Sequence, residues 1–296
     1  MQTLLPGILF ALLWASASVA TKFGIQSADP LILANMRFFI AGGLMFLYAY
    51  GLKRNPLPRG KEWGQLAIFA LLNTTVYLGA FVLAIKEVAA GIGSLSTATN
   101  PLFIIVMSAV WLKRPLRWYE GAGVVLGLGG VTLATYPLLQ NSFATVRGLL
   151  ILMGGMVSVS AATVYLARCK FQLPNVVING WQVFLGGLQL LPFTLFFADW
   201  SQAQFDGRFW GSVFWLIIPV SIAALQLWFY LVKQDAVRAS FWLFLCPIFG
   251  FLYSSVLLNE PLSWHTFAGT FLVLAGLYLG QLEKFRKAPK EVLSQR

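Results

Sequence analysis

Residues 101 to 133 read PLFIIVMSAVWLKRPLRWYEGAGVVLGLGGVTL, and residues 247 to 279 read PIFGFLYSSVLLNEPLSWHTFAGTFLVLAGLYL. Laid over each other without gaps, 146 positions apart, the two stretches agree at Pro101/Pro247, Phe103/Phe249, Pro115/Pro261, Trp118/Trp264, Gly123/Gly269 and Gly130/Gly276, as well as at several leucines. An apolar composition yields leucine coincidences by chance. It does not bring two prolines, a tryptophan and two glycines into one register, so the chain reads as a tandem repeat. The turn that follows each hydrophobic run differs in charge: Lys113-Arg114-Pro115 in the first copy, Asn259-Glu260-Pro261 in the second. Equivalent turns of opposite charge are expected to face different aqueous compartments.

Working outward from the repeat, 58% of the residues are hydrophobic, 10% are charged and the mean hydropathy is +0.76. A soluble domain carries roughly 25% charged residues, so an integral membrane protein is expected. Apolar runs close to the ~20 residues a helix needs to cross the hydrocarbon lie at about 4–25, 31–52, 64–85, 89–112, 118–138, 148–167, 177–198, 209–232, 239–258 and 264–283. Short alternating segments, which a β-barrel requires, are not the pattern. The fold class predicted is an all-α polytopic membrane protein with ten transmembrane helices. Ser18-Val19-Ala20 imitates a signal-peptidase site, but residues 1–13 hold no Lys or Arg, and loss of the first run would leave a repeat unpaired.

The net charge of +11 matters through its distribution. With a cytoplasmic amino terminus, one side holds Lys53, Arg54, Arg59, Lys61, Lys113, Arg114, Arg117, Arg168, Lys170, Lys233, Arg238, Lys284, Arg286, Lys287, Lys290 and Arg296, and the other only Lys86, Arg147 and Arg208. Sixteen against three is a positive-inside signature that places both termini in the cytoplasm. A nucleic-acid footprint would be a basic patch on a folded domain, so no nucleic-acid partner is expected; the partners predicted are the lipid bilayer and a small-molecule substrate. Five spans per half force the second half to enter from the opposite side, which makes the halves inverted repeats. The expected organisation is a first five-helix repeat at 1–139, a linker at 140–147, a second repeat at 148–284 and a basic cytoplasmic tail at 285–296. Oligomeric state is left open, since one chain can enclose a path by itself.

Gly121, Gly123, Gly127, Gly129 and Gly130, echoed by Gly269 and Gly276, predict close approach of spans five and ten to a neighbour. Pro101 and Pro247 interrupt spans four and nine at matching places, and bent helices at matching places of inverted halves nominate gating elements.

Trp14, Lys22, Pro30 and Arg37, the turn Glu260-Pro261-Leu262-Ser263-Trp264 followed by Gly269 and Gly276, and the ten-span length together resemble the EamA branch of the drug/metabolite transporter superfamily. Within that branch the chain is similar to the YddG-type amino-acid exporters. The resemblance covers essentially the whole chain. It implies an inner-membrane exporter of amino acids, aromatic ones included, working by alternating access and needing no cofactor. The first copy departs from the acidic turn, with Arg114 against Glu260, so Glu260 is read as a topology marker rather than a binding carboxylate.

Candidate substrate-binding residues come from polar and aromatic positions sharing helix faces. Trp14 and Ser18 share one in span one, Asn73 and Tyr77 in span three, Thr97 and Asn100 in span four, Ser158 and Tyr165 in span six, Gln226 and Tyr230 in span eight; Gln182 and Trp242 add to the set. Together they predict a neutral, amide-bearing and aromatic lining. Two cations, Lys22 and Arg37, fall within apolar runs, where burial makes them costly. Each has two readings: attraction of a substrate carboxylate, or a structural role in which it snorkels outward or pairs with Asp29. All ten acidic residues fall at or beyond span ends, and no nucleotide-binding loop is present. Facilitated export or exchange is therefore expected over obligatory proton antiport. Neither a metal-ligand set nor a nucleophile with its base lies inside the spans, so no metal and no enzyme activity are predicted. The remaining alternatives are a nucleotide-sugar, sugar-phosphate or drug carrier of the same superfamily and, from another class, an ion channel.

Overall fold

The computed structural model describes residues 4–111, 117–141, 143–169, 171–234 and 242–280. The Lys113-Arg114-Pro115 turn, the side chain of Pro101 and the tail at 285–296 lie outside what is described. Helix accounts for every regular element among the described residues: α1 (Leu4–Gly24), α2 (Pro30–Phe46), α3 (Lys61–Ala70), α4 (Tyr77–Glu87), α5 (Ala90–Thr97), α6 (Asn100–Trp111), α7 (Trp118–Gln140), α8 (Val146–Arg168), α9 (Asn175–Phe197), α10 (Gly207–Trp215), α11 (Leu225–Gln234), α12 (Cys246–Leu258) and α13 (Trp264–Gly280). Helix starts are fixed by local chemistry. Asp29 Oδ1 accepts from Leu31 N at 2.9 Å ahead of Pro30, Thr145 Oγ1 accepts from Gly148 N at 2.9 Å, and Asp206 Oδ1 accepts from Phe209 N at 2.8 Å, each satisfying an orphan amide of a first turn. At the other end, Asn259 stops α12 in the left-handed region at φ 53°.

Several of these helices fuse through π-helical turns. Leu47–Leu52 prolongs α2, Leu71–Val76 joins α3 to α4, and Leu216–Ala224 joins α10 to α11. The last two occupy the same place in the repeat, because residues 71–76 shift by 146 onto 217–222. Such widened turns are rare and recur at functional sites. Counting the fusions, seven helical stretches among the described residues are long and apolar enough to cross a membrane: Leu4–Gly24, Pro30–Leu52, Lys61–Glu87, Trp118–Gln140, Val146–Leu166, Asn175–Phe197 and Gly207–Trp228.

Where the sequence predicts an unbroken span over 89–112, the structure divides it into α5 and α6. Pro101 has no amide to give, and the backbone tightens before it: Ala98 N bonds Leu95 O, Thr99 N bonds Ser96 O and Leu102 N bonds Thr99 O, all three residues back. The other copy does the same by a different route, with a 3-10 turn at Trp242–Leu245 leading into α12, where Pro247 stands in the first turn. Pro101 thus divides its helix rather than kinking it smoothly, and Pro247 stands in the first turn of an α-helix that follows directly on a 3-10 turn.

Packing brings the two sequence halves together. α7 lies along α13, α2 along α9, α5 along α12, and α4 along α8, while α1 runs against both α12 and the Gly207–Gln234 rod. The glycines explain the α7–α13 contact. A Cβ on Gly130 would stand 2.5 Å from the Gly269 carbonyl oxygen, and one on Gly276 would stand 2.6 Å from that of Gly123. Neither approach is open to a larger residue. There are two principal cores among the described residues: one around Phe81, Ile85, Leu95, Leu102, Val131 and Met156, the other around Ile32, Leu33, Phe38, Phe209 and Leu216.

Candidate functional site

Between these cores a narrow cavity is lined by Trp14, Ala15, Ala17 and Ser18 of α1, Arg37 of α2, Tyr77, Leu78 and Phe81 of α4, Gly93, Ser94 and Thr97 of α5, and Val220 of the second repeat's π-helical turn. It has room for about one water molecule. α5 comes this close because Gly93 has no side chain: a Cβ there would lie 2.5 Å from Ile85 Cδ1 and 3.3 Å from Ser18 Cβ. Ser18 and Ser94 share a hydrogen bond at 2.9 Å, and Thr97 donates to Ser94 O at 2.7 Å.

Arg37 is the cationic member of this lining, and it is 5% exposed. Its Nε and Nη2 donate to a single hydroxyl, Ser221 Oγ, at 3.1 and 3.0 Å, and the guanidinium carbon lies 5.9 Å from the Phe38 ring centre. A guanidinium carries five N–H donors. Asp29, one of the partners the sequence offers, is spent on capping α2. Among the described residues no carboxylate pairs with Arg37. Ser221 is itself held in a polar chain: Asn179 Nδ2 donates to Ser221 O at 3.4 Å, Gln182 Nε2 to Asn179 Oδ1 at 2.9 Å, and Asn73 Nδ2 and Thr74 Oγ1 to Gln182 Oε1 at 2.8 and 2.9 Å. The chain crosses from α9 to both π-helical turns and ends at the guanidinium.

Lys22 has a different outcome. Its Nζ donates to Ile85 O and Val88 O, both at 2.7 Å, and so satisfies carbonyls at the C-terminal end of α4. Just beyond, Glu260 accepts from Ala90 N at 2.6 Å and Gly91 N at 3.1 Å, the first amides of α5. An ammonium at a helix C-terminus and a carboxylate at a helix N-terminus both complement the local dipole. The two side chains, one from each half, hold the α4–α5 junction between them, and their charges attract. Glu260 is 7% exposed. The sequence reading of an outer topology marker misses this burial and this cap.

Of the sequence-predicted residues, the structure brings Trp14, Ser18, Arg37, Tyr77 and Thr97 together at the cavity. Asn73 and Gln182 meet each other in the supporting chain instead. Ser158 donates to Leu72 O at 2.7 Å, and Asn100 accepts from Ser160 Oγ at 3.3 Å, so both tie helices together away from the lining. Tyr165 is half-buried on α8 outside the cavity, and Gln226 and Tyr230 are exposed on α11. Trp242 packs on Gly7, in a cluster where Phe10 stacks with Trp14 at 5.9 Å and Trp228 at 5.0 Å. Pro247 is buried at the start of α12; Pro101 marks the α5–α6 break by its backbone. Residues the sequence reading missed include Phe81, Ser94, Asn179 and Ser221. A usable signal existed for Ser221, since it lies 146 positions after Thr75, hydroxyl on hydroxyl.

Comparison with known proteins agrees with this architecture. The EamA-like transporter family profile matches residues 2–136 and again residues 146–280. An uncharacterised transporter of Synechocystis sp. is 28% identical over 95% of this chain and 91% of its own. The uncharacterised inner membrane transporter YedA of Escherichia coli (strain K12) is 25% identical over 99% of this chain and 96% of its own. A crystal structure at 21% identity superposes with a TM-score of 0.66, covering 96% of this chain and 98% of that one, which supports the fold alone. With two matches that together span nearly its full length, a helical membrane architecture and transporters as relatives, the chain belongs to the EamA-like transporter family and is a membrane transporter of small molecules, not an enzyme.

Proposed function

We propose that the chain exports amino acids, aromatic ones included, and related small carboxylate-bearing metabolites across the cell inner membrane, by alternating access and as a facilitator or exchanger. In this reading the halves 1–139 and 148–284, joined by the linker at 140–147, are inverted five-helix repeats with both termini in the cytoplasm. The helix contacts support it. Exchange of the halves maps the α4–α8 contact onto that of α1 with the Gly207–Gln234 rod, and α1–α12 onto α6–α8, while α2–α9, α5–α12 and α7–α13 map onto themselves. The cavity's small size fits a closed conformation, which must open to admit a solute. The gating elements would be the broken helices at Pro101 and Pro247.

One observation carries the choice of cargo: Arg37 is buried, lines the cavity and, among the described residues, has no carboxylate of the protein's own. A substrate carboxylate is the partner it lacks, and a desolvated guanidinium forms strong, planar, bidentate bonds with that group. A sugar-phosphate or nucleotide-sugar carrier would need several cations at the lining; among the described residues Arg37 is the only one there. The test is a counterflow assay with the full-length protein in liposomes over a panel of amino acids, keto acids, sugars and nucleotides. Accumulation driven by carboxylate-bearing members supports the reading; accumulation confined to sugars or nucleotides defeats it.

A further inference from the structure

Net charge distinguishes among the metabolites that carry a carboxylate, and the buried charges here can be counted. Lys22 is held by two backbone carbonyls and lies within the electrostatic reach of the Glu260 carboxylate. Arg37 is matched by one neutral hydroxyl. Among the described residues the region around the cavity therefore holds one positive charge in excess, in surroundings of low dielectric where an uncompensated ion is expensive.

We propose that the Arg37 cavity selects monocarboxylates that lack an ammonium group, with an apolar or aromatic body, over the zwitterionic amino acids of the same skeleton. This rests on the cavity being the transport site. A monoanion brings the buried charge to zero, whereas a zwitterion leaves it at plus one and adds a second cation to be desolvated. The hydroxyls nearby do not repair that. Ser18 and Ser94 lie within hydrogen-bond reach of each other at 2.9 Å and of Ala15 O at 3.2 and 3.1 Å, and Thr97 donates to Ser94 O at 2.7 Å, so these hydroxyls offer an ammonium dipoles but no counter-charge. The rest of the wall, Trp14, Tyr77, Phe81 and Val220, suits an aromatic or branched apolar body.

The experiment uses the full-length protein in liposomes at neutral pH with three solutes of one skeleton: phenylpyruvate (one negative charge), phenylalanine (zwitterion) and phenethylamine (one positive charge). Protein-free liposomes give the blank. Phenylpyruvate is expected to exchange at least tenfold faster than phenylalanine, with phenethylamine at the blank, and its net efflux should build an inside-positive potential that a voltage-sensitive dye reads. Arg37→Gln should lower phenylpyruvate exchange at least tenfold, and Arg37→Lys should restore part of it. Phenylalanine exchange equal to or above that of phenylpyruvate overturns the proposal while leaving amino-acid export standing, and this comparison needs no variant. Arg37→Gln carrying phenylpyruvate as well as wild type also overturns it. Counterflow of none of the panel's carboxylates, with sugars moving instead, defeats the functional reading together with this one.

Discussion

Lys22 and Arg37 stand in neighbouring helices, each a cation inside an apolar run, and each offers the same two readings from sequence. The structure separates them by their partners. Lys22 closes two helix-end carbonyls and is attracted by the Glu260 carboxylate, whereas Arg37 points two donors at one serine and lines a cavity. A buried charge whose hydrogen bonds and counter-charge are supplied within the fold is structural. One left short of both is held ready for something from outside, at a cost in stability that the rest of the fold offsets.

That contrast breaks first at Glu260. Replacing one partner of a buried charge arrangement leaves the other uncompensated, which costs about 3 kcal/mol. Glu260→Ala should lower the thermal unfolding temperature in detergent strongly, and Lys22→Met combined with it should cost less than the two single losses added together. Strict additivity would show that the two charges do not act as a unit. Next comes Arg37→Gln, where transport of the carboxylate cargo should fall at least tenfold, about 1.4 kcal/mol in transition-state terms. Its unfolding temperature should hold or rise, because a charge without a counter-charge has been removed. A variant that unfolds well below wild type would make Arg37 structural and erase the difference from Lys22.

The helical membrane fold was largely legible because its signals are additive over many residues: apolar composition, run length, and glycines in register. The prolines at 101 and 247 announced interruptions correctly in place but not in kind, since a missing amide shows where a hydrogen bond fails and not how the flanking turns tighten. The cavity was legible in part. Trp14, Ser18, Tyr77 and Thr97 follow from helix faces, yet a face gives a direction around one helix and says nothing of its neighbour. Asn73 and Gln182 look like solute-binding amides until each is seen to bind the other. Glu260 was opaque for the same reason, as its partners Ala90 and Gly91 lie 170 and 169 positions away.

Smaller effects sharpen the contrast. Among the described residues Ser221 is the hydrogen-bonding anchor of the Arg37 head, and Ser221→Ala leaves the guanidinium free to wander without removing its charge. Transport should weaken about threefold through KM with kcat nearly kept, in line with a single hydrogen bond to a charged group lost from positioning. A loss as large as that of Arg37→Gln would mean that the serine hydroxyl itself meets the cargo.

The smallest expected effect is at Gln226, and it decides whether helix-face reasoning or cavity geometry names the site. Gln226 and Tyr230 share a face of α11, as the sequence predicts for a pair lining a path, but both are exposed and neither reaches the cavity. An exposed polar residue with no buried partner contributes within about 0.5 kcal/mol to stability, and a side chain outside the lining has no charge or hydrogen bond to give the cargo in this conformation. Gln226→Ala should therefore leave both unfolding temperature and counterflow at wild-type levels. A clear drop in counterflow with unchanged stability would place α11 on the solute's route, and the charge inventory drawn around Arg37 would then have to be recounted with the groups that α11 brings to it.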